Sequence, residues 1–397
     1  MVGARIAFSA VRRPEFRYEL PKFDQPPLSG APEARFAPAP ADGVLPDGFF
    51  STTNLPTYVK AGGAWRRPRL PRMDCAIVRE SSGELVSTEP RKVARGTAVA
   101  MGASEDGSEG ILVHAEGFLS GTHSANEFGF MQTAVSREKP VDYGVLAELL
   151  GEERARGGSI VWVVGPALVH ARARDDLIWF VEHGYVGALL GGNAVAVHDL
   201  EAAIFGTTLG MSSSGEGVAG GHALHMRAIN AVRRAGSIPQ AVEQGIVKSG
   251  IMHALVTRHI PYVLAGSIRD DGPLPGVLSD TLAAQDAMRT VTARATFAVF
   301  VATALHAIAV GNMLPAFVDA VAPEDIRPLT TICVDQTEFV VNKLRDRGTH
   351  QAYGVVTNAQ DFMHVLRFYV ERWEQASPRT PPPSPPRTST PTPPLSR

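Results

Sequence analysis

The sequence predicts an α/β fold: a mostly parallel sheet covered by helices, preceded by a smaller β-rich region. Three observations carry this. First, beyond Pro140 five short apolar runs, SIVWVVG, VGALLG, PYVLAGS, TTICVD and YGVVT, alternate with amphipathic stretches. Strands apolar on both sides belong to sheets buried on both faces. Second, the stretches between them, such as VDYGVLAELLGEERARG, DDLIWFVEHG, AVHDLEAAIFG, HALHMRAINAVRRAG and IPQAVEQGI, repeat apolar residues at helical spacing. Third, before Pro140 the runs DCAIVRE, GTAVAM and GILVHA are separated by turn-forming residues, the pattern of short strands.

Four segments follow. Residues 1–36 are proline-dotted and are expected to be extended or poorly ordered. Residues 37–140 form the β-rich region, with PADGVLPDGFFSTTNLPTYV as an ordered loop. Residues 141–376 form the α/β region, in which 281–310 reads as largely helical, QTEFVVNKLRDRG as a helix and DFMHVLRFYVERWEQ as the closing helix. Residues 377–397 are almost only Pro, Ser, Thr and Arg, a disordered tail by composition and a docking segment only on a second reading.

The chain has 397 residues, 44% hydrophobic and 20% charged, with a formal net charge of −2. That balance gives no electrostatic footprint for nucleic acid or an anionic membrane. Two cysteines, Cys75 and Cys333, make neither a disulfide scaffold nor a metal site, and no metal is expected. The apolar run Ala295–Val310 is broken by Thr296, Thr303 and His306. It falls short of the roughly 20 residues that a membrane span needs, and reads as a buried helix. A cytoplasmic location is expected.

Ligands of open parallel sheets bind beyond the carboxyl ends of the strands. The residues there are Gly165-Pro166, Gly192-Asn193-Ala194, Arg269-Asp270-Asp271, Asp335 and Asn358-Ala359. Asp335 ends an apolar strand that a helix and a second strand follow. Its carboxylate suits the two hydroxyls of a cofactor ribose, or else caps the next helix. No Gly-x-Gly-x-x-Gly loop follows a strand. Gly191-Gly192-Asn193-Ala194 is the best alternative seat for a pyrophosphate, or a tight turn capped by Asn193. Thr303 and His306 are expected to share one face of a helix, as ligand contacts or as satisfied core polar groups. Asp270-Asp271 reads as a turn or as acids facing a cofactor or an ammonium.

The segments ADGVLPDGFFSTTNLPTYV, VSREKP, GGNAVAVHDLEAAIFGTTLG, HMRAINAVRRAGSI, VEQGIVKSGIMHALV, YVLAGSIRDDGPLP, AVGNMLPA and CVDQ resemble the family with the LOR/SDH bifunctional enzyme conserved region. That family includes archaeal-type ornithine cyclodeaminases and the C-terminal part of bacterial arginine dihydrolases. The resemblance spans roughly residues 37–366. It implies a deoxyhypusine-synthase-like NAD-binding domain, NAD as cofactor, and a lyase that turns ornithine into proline and ammonia by internal hydride transfer. Carried over position by position, NAD contacts fall on Asn193, Ala194, Asp271, Thr303, Ala304, Leu305, His306, Asp335, Asn358 and Ala359. At Asn358 the family often has an acid. For the substrate, Arg269 is the candidate for the carboxylate, and Asp270 and Asn54 for the amines. No residue is identified as the general base. No counterpart of the guanidine-hydrolysing domain is recognisable, so action on arginine is not expected. The partner is a small amino acid, and a homo-oligomer is left open. Two other readings stand beside this one: an NAD enzyme acting on another amine or amino acid, and a non-catalytic NAD-binding sensor or scaffold.

Overall fold

A computed structural model of the chain describes residues 18–118, 142–212, 214–270, 272–320, 322, 325–338, 341–342 and 351–376. The expected tail, most of the QTEFVVNKLRDRG helix, VSREKP and Asp271 lie outside the described residues.

Seven strands make up the first region: β1 (Arg35–Pro38), β2 (Thr57–Ala61), β3 (Ala64–Arg66), β4 (Ala76–Arg79), β5 (Leu85–Thr88), β6 (Ala98–Met101) and β7 (Ile111–Val113). They form two antiparallel sheets, ordered β1-β6-β4-β5 and β3-β2-β7. The sequence placed the end of the PADGV…PTYV loop too late. Thr57 already pairs with Val113, because Thr-Tyr-Val is a β-branched and aromatic run. Ahead of β1 the chain crosses as a strap with one 3-10 turn at Leu28–Gly30. The strap is pinned where the Tyr18 and Tyr58 hydroxyls meet at 2.7 Å and where Phe23 stacks on Trp65.

The second region begins with α1 (Tyr143–Ala155), capped by Asp142, whose carboxylate accepts from the Val145 amide. Then follow β8 (Ile160–Val164), α2 (Ala167–His170), α3 (Arg174–Glu182), β9 (Ala188–Gly192), α4 (Asn193–Phe205), α5 (Leu224–Ala235), α6 (Ile238–Glu243), α7 (Ile251–Thr257), β10 (Tyr262–Ala265), α8 (Thr281–Thr292), β11 (Phe297–Val301), α9 (Ala304–Gly311), the short hairpin β12 (Phe317–Val318) and β13 (Arg327–Pro328), β14 (Thr330–Asp335), β15 (Gln351–Val356) and α10 (Ala359–Ala376). Six strands lie parallel in the order β10-β9-β8-β11-β14-β15. This is the doubly wound order, which reverses between β8 and β11.

The strands are buried on both sides. Ile160, Trp162 and Val164 face a core shared with α1 to α7 and α10, while Val161 and Val163 face one shared with α8 and α9. Asp199 of α4, fully buried, ties three helices together. Its carboxylate accepts from Arg174 Nε on α3 at 2.6 Å and from the Ile251 and Met252 amides at the start of α7 at 2.9 and 2.8 Å.

One expectation fails here. Ala295–Val310 is not a single buried helix: Phe297–Val301 is a central strand and only Ala304–Gly311 is helical. A continuous apolar run carries no period, so the sequence alone cannot separate a doubly covered strand from a buried helix. Among the described residues no helix is long and apolar enough to cross a membrane.

The β-rich region docks on the α/β region at the amino ends of the strands. Glu89 pairs with Arg72 and Lys92 of its own region and with Arg289 of α8, and Asp286 of α8 meets Arg91 and Lys92. The Asn54 carbonyl accepts from the Ala316 amide at 2.8 Å, and Ala316 in turn accepts from Leu329, just ahead of β14. Burial pushes the Glu89 carboxyl up, but a backbone hydrogen bond and the cations Arg72, Arg289 and Lys92 outweigh it and hold it below its ordinary value. Its contribution is therefore present at neutral pH and is lost as pH falls through that lowered value. Glu89→Ala should cost about 3 kcal/mol in urea unfolding at pH 7, the scale of a broken buried ion pair. The gap between variant and parent should narrow in acid.

Candidate functional site

The sheet reverses its winding where β8 and β11 end, and there the two strands are drawn together tightly. The Gly165 amide donates to the Val301 carbonyl at 3.0 Å, and a Cβ on Gly165 would stand 1.9 Å from the Ala302 carbonyl oxygen. No side chain other than hydrogen fits. Ala302 takes a left-handed backbone with φ of 56°, costly for a residue with a Cβ. Backbone strain of this kind gathers at ligand sites. From this point the chain after β8 passes to one face of the sheet and the chain after β11 to the other, which leaves a crevice between them.

Among the described residues α4 after β9 and α9 after β11 start beside the crevice without a side-chain cap, as does the four-residue α2 after β8. Gly192 is the N-cap of α4 and has no side chain to offer. Thr303 is the N-cap of α9 and its hydroxyl takes no partner among the described residues. Both first turns thus present amide hydrogens and the positive end of a helix dipole, which suits an anion. Thr303 and His306 do not share a helix face as expected, since Thr303 precedes the helix. Ala304 and Leu305 follow at the mouth, and Leu305 is 73% exposed.

His306 lies across the crevice floor. A Cβ on Gly192 would meet His306 Cε1 at 2.9 Å and the Ala265 carbonyl at 3.7 Å. The glycine therefore makes room for the imidazole over the end of β9. Burial lowers the His306 pKa below the ordinary imidazole value, so the ring is neutral at neutral pH.

Asn193 is 6% exposed and turns both ends of its side-chain amide to the loop after β10. Its Nδ2 donates to Asp270 Oδ1 at 3.1 Å and its Oδ1 accepts from the Leu274 amide at 3.0 Å. Asp270 Oδ2 also accepts from the Ser267 amide at 2.7 Å. On the other side Arg233 of α5 reaches the loop and donates to the Pro273 carbonyl at 3.0 Å. Sequence reasoning placed Gly165 at a strand end but missed Arg233 and Ala302, because each acts through a residue far away in the chain. The loop holds Arg269 with an exposed guanidinium that takes no partner among the described residues. Ala194 belongs to the first turn of α4, half-buried beside Asn193.

Farther along the carboxyl edge, Asp335 Oδ1 accepts from the Thr337 amide at 2.9 Å and from its hydroxyl at 2.8 Å. The capping reading thus describes one oxygen, and Oδ2 takes no partner among the described residues. The Thr357 amide donates to the Asp335 carbonyl, which brings the ends of β14 and β15 together. Asn358 caps α10: its Oδ1 accepts from the Asp361 amide at 2.8 Å while its Nδ2 donates to Asp361 Oδ2 at 2.6 Å. Ala359, next in line, is buried.

Asn54 is not brought to this group. Through Ala316 and Leu329 it is tied to the start of β14, one strand length from Asp335, or roughly 17 Å at the rise of a strand. Asp271 lies outside the described residues.

Comparison with known proteins places this geometry. The family model for the Rossmann-fold C-terminal part of ArgZ-like arginine dihydrolases matches residues 144–366, and the model for the first region of that C-terminal part matches 56–145. An ornithine cyclodeaminase of Methanopyrus kandleri is 45% identical over 353 residues, covering 88% of this chain and 81% of the relative. The crystal structure of a conserved LOR/SDH protein from Methanococcus maripaludis superposes with a TM-score of 0.76 at 39% identity, over 87% of this chain and 98% of that one. The complex of AgrE with ornithine and NAD+ superposes with a TM-score of 0.55 at 34% identity, over 88% of this chain and 47% of that one.

Asn193→Ala should free the loop it braces. Hydrogen exchange of residues 267–274 is expected to quicken at least tenfold, against about 1–3 kcal/mol lost on unfolding, the scale of buried hydrogen-bonding groups left unmet. Unchanged exchange would sink the bracing role.

Proposed function

The chain belongs to the family of the archaeal ornithine cyclodeaminases and of the C-terminal part of the ArgZ-like arginine dihydrolases, and on that footing we propose that it converts ornithine to proline and ammonia with NAD as a retained cofactor. The observation that carries this reading is the doubly wound sheet with the uncapped start of α9 at its switch point and that of α4 beside it, in a chain 45% identical to an ornithine cyclodeaminase. Once bound, the nicotinamide supplies a hydride acceptor that later returns the hydride, so the conversion has no net redox change.

The residues present fit such a cofactor. The first turns of α4 and α9, with Asn193, Ala194, Thr303, Ala304 and Leu305, offer backbone amides to a pyrophosphate. Gly165 lets the ends of β8 and β11 close up, and Gly192 makes room for the His306 ring beside the first turn of α4. Asp335 Oδ2, without a partner among the described residues, suits a ribose diol, and the charge of the carboxylate disfavours the extra phosphate of NADP. Asn358 and Ala359 border the same edge, with the Asn358 amide occupied as a cap.

For the substrate, the Arg269 guanidinium is a partner for the carboxylate, and Asp270 stands beside it for an ammonium. Asn54, a strand length away, takes no part. The braced loop fixes Arg269 and Asp270 relative to α4. Such positioning shortens the search for a reactive pose, and closure around it keeps water from the imine.

Two outcomes test the reading. Asp335→Ala should weaken NAD binding by about 1–3 kcal/mol, as loss of a charged hydrogen-bond partner does, and should narrow the preference over NADP. Unaltered affinity in a folded variant removes Asp335 from the site. Incubated with L-ornithine and catalytic NAD, the protein should release proline and ammonia in equal amounts with no lasting NADH absorbance. Deuterium at the α-carbon of ornithine should remain in the proline. Label lost to free NADH or water points to an ordinary dehydrogenase. NAD binding without ammonia release points to another amine, or to a protein that binds NAD without turnover.

A further inference from the structure

The crevice holds an imidazole with nothing to do in the resting fold. His306 makes no hydrogen bond or ion pair among the described residues, and its nitrogens are not among the fully enclosed, partnerless atoms. They are therefore reachable from the crevice. The ring lies over the end of β9, against Gly192, in the first turn of a helix that starts at the switch point. From this position, and resting on the ornithine reading above, we propose that His306 is the proton carrier of the reaction, taking a proton from the substrate's α-ammonium and returning it when ammonia leaves.

The chemistry requires such a group. A hydride departs from the α-carbon only when the attached nitrogen has a free electron pair to form the imine. In the first step the bond from the ammonium nitrogen to one hydrogen breaks and a bond from an imidazole nitrogen to that hydrogen forms. The electron pair stays on the amine. After ring closure the former α-nitrogen must leave as neutral ammonia. The imidazolium then gives the proton to that nitrogen as its bond to carbon breaks. The imidazole ends the cycle as it began. The distal ammonium sheds one proton to water before its nitrogen attacks and a second once it is bonded to the α-carbon; the ring nitrogen of proline and the departed ammonia each take one up, so ornithine becomes proline and ammonium.

Among the described residues, Asp270, Asp280 and Asp335, carboxylates at this end of the sheet, each have at least one oxygen engaged. Asp270 is held by Asn193 and Ser267, Asp280 accepts from the Ala283 amide at the start of α8, and one oxygen of Asp335 caps Thr337. Arg269 stays charged and cannot act as a base. A neutral imidazole with free nitrogens is the right form for the first step. The burial that lowers its pKa, and the positive end of the α9 dipole beside it, both hold it in that form.

The test uses the NAD-loaded protein with carbon-13-labelled histidine, its His306 signal identified by its absence in His306→Gln. In the parent this ring should titrate below the ordinary imidazole value, and its resonance should shift when L-ornithine is added. In His306→Gln, kcat should fall roughly 10²-fold or more, the scale of general acid–base catalysis. The acidic limb of the kcat/KM profile, where activity falls as His306 gains a proton, should vanish. Added imidazole should restore activity to His306→Ala in a saturable way, which a merely structural role would not allow. A parent that makes no proline from ornithine overturns the reading on which this rests, and the proposal with it. An active parent whose His306 signal ignores ornithine, or a folded His306→Gln that keeps its acidic limb, overturns the proposal alone.

Discussion

The closure between β8 and β11 is the constraint on which the site depends. Parallel strands wound in two directions leave a gap where the winding reverses, and the width of that gap sets what can enter. Here the backbones meet without an intervening side chain: Gly165 has no room for a Cβ and Ala302 bends into a left-handed turn. With the strands so close, the first turns of α4 and α9 open on opposite sides of one cleft. A larger residue at position 165 would push β11 and α9 away, and with them Thr303 and His306.

The polar residues along the carboxyl edge divide into those that build the edge and those left free by it. Asn193, Asp270 and Asn358 give most of their hydrogen-bonding capacity to loops and helix starts. Arg269, Thr303 and His306 give none that the described residues reveal, and Asp335 stands between, with one oxygen committed and one free. A buried amide fully used by protein partners is a rigid part. Rigidity next to unengaged groups is what a preorganised site requires, since the cost of ordering is met on folding rather than on binding.

Much of the architecture could be read from the sequence because it is written in local patterns. SIVWVVG, VGALLG, PYVLAGS, TTICVD and YGVVT are strands as expected, and their ends are where the unengaged groups lie. What escaped depends on distant partners or on the loss of periodicity. β11 was hidden in an apolar run that continues into α9. The short helix α7 has glycine at its N-cap, and its amides are capped instead by Asp199, 52 residues earlier in the chain. The bracing of the loop after β10 joins Asn193 to Asp270 across 77 residues. Asn54 looked like a substrate ligand from its motif, but the docking of the β-rich region sets it at the opposite edge of the sheet. For Asp335 a local capping role was visible from the start, because such a contact is decided within a few residues, whereas the Asn358 cap of α10 was not read from the sequence.

The seating of the β-rich region at the amino ends of the strands separates two kinds of surface. Tyr18 packs on that side beside Tyr58 and Phe317, while the crevice lies at the far end. In the longer relatives this unit is the C-terminal part. Substitutions on the docking face, at Glu89 or Asp286, and substitutions in the crevice therefore act at opposite ends of the same strands.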